Sequence, residues 1–327
     1  MKFIRQLMFL ARLAWGVKET RPNPSVVERQ ERSPTGTCFD IYQHHHKTLA
    51  ACIAVHGVTI QGGKDPRLIH FARTLARFGT TCVVPTLEGL ASCRWEPSDL
   101  DELANIVTLA ADGIGPSVGL IGFSFGGSYA LIVAGRRELL EHIPWVITFG
   151  AYHDLPEVLR GYALNLKREP QNDAEWDEAI YQRLAFVYGQ RDAVAFSQEV
   201  WLEVERLLKG YAGEVSLEEK RHFYDHYLHD LDAEVFSHFP EPEVLKTFSP
   251  AGHLEHLDCP VTLIHDRNDQ VVAPEQAERL LAELETLRSH KHHRLVLTSL
   301  LSHVSSSNVF DVPGVIRLAN ALSPLIP

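Results

Sequence analysis

Five residues, Gly122-Phe123-Ser124-Phe125-Gly126, carry the pattern G-x-S-x-G between an apolar run and a segment of helical composition. A hydroxyl in that setting can be a nucleophile. On a sharp strand-to-helix turn it is exposed, and the first helical N–H groups beneath it favour developing negative charge. The small neighbours answer a steric need: strand and helix approach each other there, so Gly122 and Gly126 leave room, and Gly127 and Ala130 continue the small face. The alternative is an ordinary turn serine with no chemistry attached.

A hydroxyl alone is a weak nucleophile, so a base and an orienting acid must accompany it. The acid belongs after the next-to-last strand, where "TLIHDRNDQVVAP" offers Asp269 on a loop ahead of a helix beginning near Pro274, with Asp266 as its rival. The base belongs after the last strand, where "LVLTSLLSHVSSSN" offers His303 two residues beyond the apolar run. The chain order Ser124, Asp269, His303 is one of the three known orders of a Ser-His-Asp triad, the one that goes with a nucleophile on a strand-to-helix turn. The competing roles are a helix-capping carboxylate for Asp269 and an incidental loop histidine for His303, one of 18 in the chain.

These residues need strands that end on one edge. Short, nearly continuous apolar runs at 49–57, 80–87, 117–124, 144–151, 260–266 and 294–301 have the composition of parallel strands covered on both faces. Amphipathic helices separate them. In "PRLIHFARTLARFG", Pro66 suits a first turn, Leu68, Phe71, Leu75 and Phe78 form a stripe, and Gly79 ends it. The alternation predicts a doubly wound α/β core, mostly parallel, over 38–153 and 256–327. It breaks over 154–255, a charged, aromatic, strand-poor stretch that reads as a helical cap over the carboxyl ends of the strands, where open α/β sheets bind ligands. Residues 1–37 read as an amphipathic helix followed by a polar linker, "ETRPNPSVVERQERSPTGT".

With these motifs in place, the chain resembles the α/β-hydrolase family over about 49–153 and 256–325. "AVHGVTIQGGKDPRLIHFARTLARFGTTCVVPTLEG" is similar to that family's stretch from the oxyanion loop to the fourth strand, and "LDCPVTLIHDRNDQVVAP" to its acid-bearing segment, although Asp266 stands where the family often has Gly. The resemblance implies Ser124 as nucleophile, His303 as general base and then acid, and Asp269 as its orienter. Through the His56-Gly57 turn it implies an oxyanion hole built from the backbone N–H groups of Val58 and Phe125, with Thr59 as another candidate. The expected activity is hydrolysis of a small-molecule carboxylic ester with an apolar acyl or alkyl group, without cofactor or metal. Thioester hydrolysis, acyl transfer and a non-catalytic binding role on the same fold are the alternatives.

Other clusters carry less. His222, His226 and His229 recur at i, i+4 and i+7, which suits a solvated polar face better than a metal site without ligands from a second helix. "QHHHK" at 43–47 reads as a polar hairpin turn, and Lys64-Asp65-Pro66-Arg67 lacks the phosphate-loop pattern. Phe186, Tyr188, Trp201, Tyr211, Phe223 and Tyr224 read mainly as the interior of the cap.

Bulk composition narrows the rest. Of a net charge of −11, residues 1–32 contribute +4, so the body is acidic and nucleic acid is not an expected partner. Five scattered cysteines without zinc spacing point to a reducing, cytoplasmic setting. "MKFIRQLMFLARLAW" is interrupted by Lys2, Arg5 and Arg12, too often for a spanning segment of about 18 apolar residues. It reads as a helix packed on its own domain or as a basic amphipathic helix on the inner face of an anionic membrane.

Overall fold

The computed structural model describes residues 2–15, 24–46, 48–165, 170–210, 215–229, 231, 240–287, 292–299 and 312–326. Among them the apolar runs become β3 and onward of one sheet: β1 (Val26–Arg32), β2 (Cys38–His44), β3 (Ala50–Val55), β4 (Thr80–Pro85), β5 (Gly119–Phe123), β6 (Val146–Phe149), β7 (Val261–Asp266) and β8 (Arg294–Thr298). Their order is β1-β2-β4-β3-β5-β6-β7-β8. β2 runs antiparallel to both its neighbours, and all other pairs are parallel. β3, β4 and β7 are buried along nearly their whole length, which is why their sequences show no alternation.

The helices are α1 (Lys2–Trp15), α2 (Pro66–Arg77), α3 (Glu88–Ala91), α4 (Pro97–Gly113), α5 (Phe125–Ala134) and α6 (Leu155–Asn165). They continue with α7 (Asp173–Gly189), α8 (Gln198–Lys209), α9 (Leu217–Phe223), α10 (Pro242–Lys246), α11 (Glu275–Thr286) and α12 (Val312–Ala321). Phe9, Leu68, Phe71, Leu75, Leu318 and Leu322, from α1, α2 and the end of α12, fill one apolar cluster. Leu103, Ile106, Leu131, Val133, Leu280 and Leu284, from α4, α5 and α11, fill the other. The two clusters are the two faces of a doubly wound sheet.

Local chemistry fixes these helices. Asp65 caps α2 by accepting the Arg67 N–H at 2.9 Å, Pro66 occupies the first turn, and Gly79 at φ 94° lets the chain turn away after it. α1 lies on this surface by one side: Phe9 is fully buried, with its ring edge-on to Phe71 and Phe78 at centroid distances of 6.1 and 5.6 Å. Arg5 donates to the Phe78 carbonyl at 2.9 Å. On the outer side of α1, Ile4 and Met8 are 61% and 59% exposed. No described helix is long and apolar enough to cross a membrane.

Two expectations need correction. Residues 26–32, expected within a linker, form β1. Six of its seven side chains are not buried, so this edge strand carries no apolar alternation to betray it. It is held by full pairing with β2 and by an ion pair between Glu28 and Arg73 at 2.8 Å. The turn after Gln43 is not a hairpin either, because β2 pairs with β1 and β4 while β3 lies beyond β4.

Helices α6 to α10 are inserted between β6 and β7, which are neighbours in the sheet. The two ends of the insertion meet. Ala251 N–H donates to the His153 carbonyl at 3.1 Å, Leu155 N–H to Ser249 Oγ at 2.9 Å, and Tyr152 Oη to the Phe248 carbonyl at 2.9 Å. Near this neck Val158, Leu159, Leu245 and Leu254 pack with the main core. Farther out Ile180, Leu184, Val204, Leu207, Phe223 and Leu228 make a separate apolar cluster of α7, α8, α9 and the turn that follows. A buried Lys220 bridges two of these helices through Asp177 at 2.6 Å.

Candidate active site

Ser124 stands between the last residue of β5 and the first of α5 with φ 51° and ψ −124°. A non-glycine residue at positive φ is strained by about 1–3 kcal/mol and persists only where its surroundings hold it. Here its N–H donates to the Phe149 carbonyl of β6 at 2.6 Å, while its own carbonyl accepts from Gly127 N–H at 2.8 Å. One end of the residue still belongs to the sheet and the other already belongs to the helix. A Cβ on Gly122 would overlap the Gly126 carbonyl, and one on Gly126 would overlap the His56 carbonyl, so both glycines are sterically required. Phe125 is the first residue of α5, which makes its N–H a first-turn amide beside the serine.

The turn after β3 comes up against this elbow. A Cβ on Gly57 would lie 3.1 Å from Ser124 Cβ, so Val58 follows immediately alongside Ser124. His56 is buried, and both ring nitrogens are engaged: Nε2 accepts the Leu87 N–H at 3.0 Å, and Nδ1 lies 2.7 Å from the Gly57 carbonyl. An acceptor Nε2 assigns the proton to Nδ1, which donates to Gly57. Burial lowers the imidazole to about 4, so it is neutral at ordinary pH. Because Gly57 C=O and Val58 N–H share one peptide plane, the ring sets the direction of that N–H.

Asp269 follows β7 on the same sheet edge and is buried. Its Oδ1 accepts the N–H groups of Val271 and Val272, both at 2.9 Å. Its Oδ2 lies 3.4 Å from Nε2 of His265, a buried ring whose Nε2 also lies 2.7 Å from the Val272 carbonyl. Asp266 differs: it pairs across from Thr298 at the end of β8 and accepts the Asn268 N–H at 2.9 Å in a local turn. Of the two rivals, Asp269 is therefore the enclosed, amide-held carboxylate. His303 lies outside the described residues, as does Tyr211.

The insertion supplies neighbours that no motif announced. Tyr181 of α7 donates its hydroxyl to the Val58 carbonyl at 3.0 Å. The Tyr162 phenol of α6 is pushed up by burial and then by the carboxylates of Glu178 and Asp269. Val58, Ile60 and Cys93 pack against the apolar cluster of the insertion. Phe223 belongs to that cluster and Tyr188, Trp201 and Tyr224 pack against it, whereas Phe186, also expected in the interior, is half-buried and outside it. His222, His226 and His229 are exposed, and no described group of three or more His, Cys, Asp or Glu is arranged to hold a metal.

No curated protein sequence matches the chain. Solved structures do. An esterase of Pyrococcus furiosus is 12% identical with a TM-score of 0.53, covering 92% of each chain. A hyperthermophilic esterase of Pyrobaculum calidifontis is 14% identical with a TM-score of 0.53, covering 99% of this chain and 89% of that one. A meta-cleavage product hydrolase of Pseudomonas fluorescens is 18% identical with a TM-score of 0.50, covering 93% and 98%. At such identities the likeness is one of fold. The family model described as the Alpha/beta hydrolase family matches residues 53–303, well over half of the sequence, and the chain belongs to that family.

Proposed function

We propose that this protein hydrolyses a carboxylic ester through an acyl-enzyme intermediate. The observation that carries the proposal is a strained serine after β5 and an enclosed, amide-held Asp269 after β7, on one edge of a parallel sheet. Chain order and the end of the family match at residue 303 support His303 as the third member. The esterases among the similar folds agree with the ester as substrate.

In this scheme Ser124 Oγ attacks the ester carbonyl while His303 takes its proton. The oxyanion is held by Val58 and Phe125 N–H groups. His303 then protonates the departing alcohol, and Asp269 stabilises the imidazolium between the two transfers. Water attacks the acyl-enzyme with His303 again as base, releasing the acid and restoring Ser124. The half-buried apolar side chain of Val58, which follows Gly57 next to Ser124, suits an apolar acyl or alkyl group. A fluorophosphonate should label the wild type and not Ser124→Ala, and the variant should lose short-chain aryl-ester hydrolysis. Undiminished turnover by a folded Ser124→Ala protein sinks the proposal, and added alcohol or a thioester substrate separates hydrolysis from acyl transfer.

A second proposal concerns location. Phe3, Ile4 and Met8 are exposed on α1, in a segment of net positive charge, and suit the surface of an anionic membrane. Co-sedimentation with anionic vesicles that is equal for wild type and an Ile4→Glu, Met8→Glu variant refutes it.

A further inference from the structure

The loop from Gly57 to Gln61 is held from two sides. From the core, His56 grips the Gly57 carbonyl at 2.7 Å. From the insertion, the Tyr181 hydroxyl on α7 grips the Val58 carbonyl at 3.0 Å, across 123 residues of sequence. Gln61 Nε2 adds a bond to the Lys209 carbonyl at the end of α8, at 3.2 Å. Val58 is packed against both the main apolar cluster and that of the insertion.

Two successive peptide planes meet at the Val58 Cα. The first carries Gly57 C=O and Val58 N–H; the second carries Val58 C=O and Thr59 N–H. Holding the first alone leaves rotation about the bonds of Val58 free to tilt the pair, whereas holding both fixes the residue. His56 holds the first plane and Tyr181 the second. The second plane also contains the Thr59 N–H, so the same hydroxyl orients either candidate donor of the loop. Burial raises the Tyr181 phenol well above its ordinary value, which keeps the donor protonated.

We infer that Tyr181 is a positioning residue for the oxyanion hole, so that α7 of the insertion completes the donor geometry on which turnover depends. This inference rests on the ester-hydrolase proposal above. It assigns the insertion a part in the chemical step. In this scheme Tyr181 acts through the Val58 peptide.

Tyr181→Phe tests it, since the ring stays and only the hydroxyl goes. Removing an oxyanion donor outright costs about 10²–10³ in kcat. Loosening its support should cost about tenfold in kcat, with KM for a short aryl ester changed less than about twofold. The rate of Ser124 phosphonylation by a fluorophosphonate should fall by the same factor, because the phosphoryl oxygen occupies the same hole. Unchanged kcat and phosphonylation overturn the inference. A raised KM at constant kcat also overturns it, assigning Tyr181 to substrate binding instead. Ser124→Ala run in parallel separates the two levels: if that variant still hydrolyses ester, the ester-hydrolase proposal falls and this inference with it. If it is inert while Tyr181→Phe is as fast as wild type, only the inference falls.

Discussion

Acid should destabilise the fold through His56 in a way that one substitution can isolate. The buried ring is neutral, and Nε2 accepts a backbone N–H from Leu87. Protonation would place two donors face to face, and the imidazole is lowered from 6.5 to about 4, chiefly by burial. In the unfolded chain it titrates near its ordinary value. Below about pH 6.5 the unfolded state therefore binds a proton that the folded state refuses, and stability falls as pH falls. The loss attributable to this ring is negligible at pH 7.5, about 2 kcal/mol at pH 5 and about 3 kcal/mol near pH 4, and it levels off below that. His56→Asn keeps a donor near the Gly57 carbonyl and removes the titration. Urea unfolding of both proteins, followed by tryptophan fluorescence and far-UV circular dichroism at pH 7.5, 5 and 4, gives their difference directly. Wild type should be the more stable at pH 7.5, and its advantage should shrink by about 3 kcal/mol towards pH 4. A difference that stays constant across this range would show that the ring is not held neutral, and the orientation assigned to the Val58 N–H would lose its basis.

Three further outcomes are expected. Asp269→Asn should lower kcat by about 10⁴-fold, through loss of the carboxylate that orients the base. Asp266→Asn should stay within a few-fold; equal losses in the two variants would count against Asp269 as the acid. Gly126→Ala, whose Cβ meets the His56 carbonyl, should lower stability by about 3 kcal/mol or prevent folding, read by thermal unfolding. On α1, Phe9→Ala should cost about 3–5 kcal/mol, while Ile4→Glu should stay within about 0.5 kcal/mol, because only the first is buried.

The parts of this molecule legible in its sequence are those whose signals are local. Ser124 sits on a turn whose glycines are steric necessities, and Asp269 follows a buried strand whose composition is unmistakable. α2 is legible residue by residue, from Pro66 in its first turn through the Leu68, Phe71 and Leu75 stripe to Gly79; its Asp65 cap is seen only in the structure. β1 was hidden because an edge strand with six unburied side chains needs no apolar pattern; its order comes from backbone pairing with β2. β2 was hidden because Asp40 and Gln43 interrupt its apolar residues, Asp40 being buried against Lys64 Nζ at 2.6 Å. Tyr181 and His265 carry no motif at all. Their contacts exist only once the insertion is folded over the loop after β3, and once Val272 turns its carbonyl back toward β7.

The neck of the insertion has a consequence for how such a protein can change. Because β6 and β7 are adjacent and three hydrogen bonds close the chain between Tyr152 and Ala251, the sheet does not register how much polypeptide lies beyond that closure. Doubling the length of such an excursion adds only about 0.6 kcal/mol of closure entropy. The segment is in effect a cassette: it can lengthen, shorten or be exchanged while Ser124 and Asp269 keep their places on the sheet edge. If Tyr181 has the positioning role inferred above, what a replacement cassette must bring with it is a donor for the Val58 carbonyl.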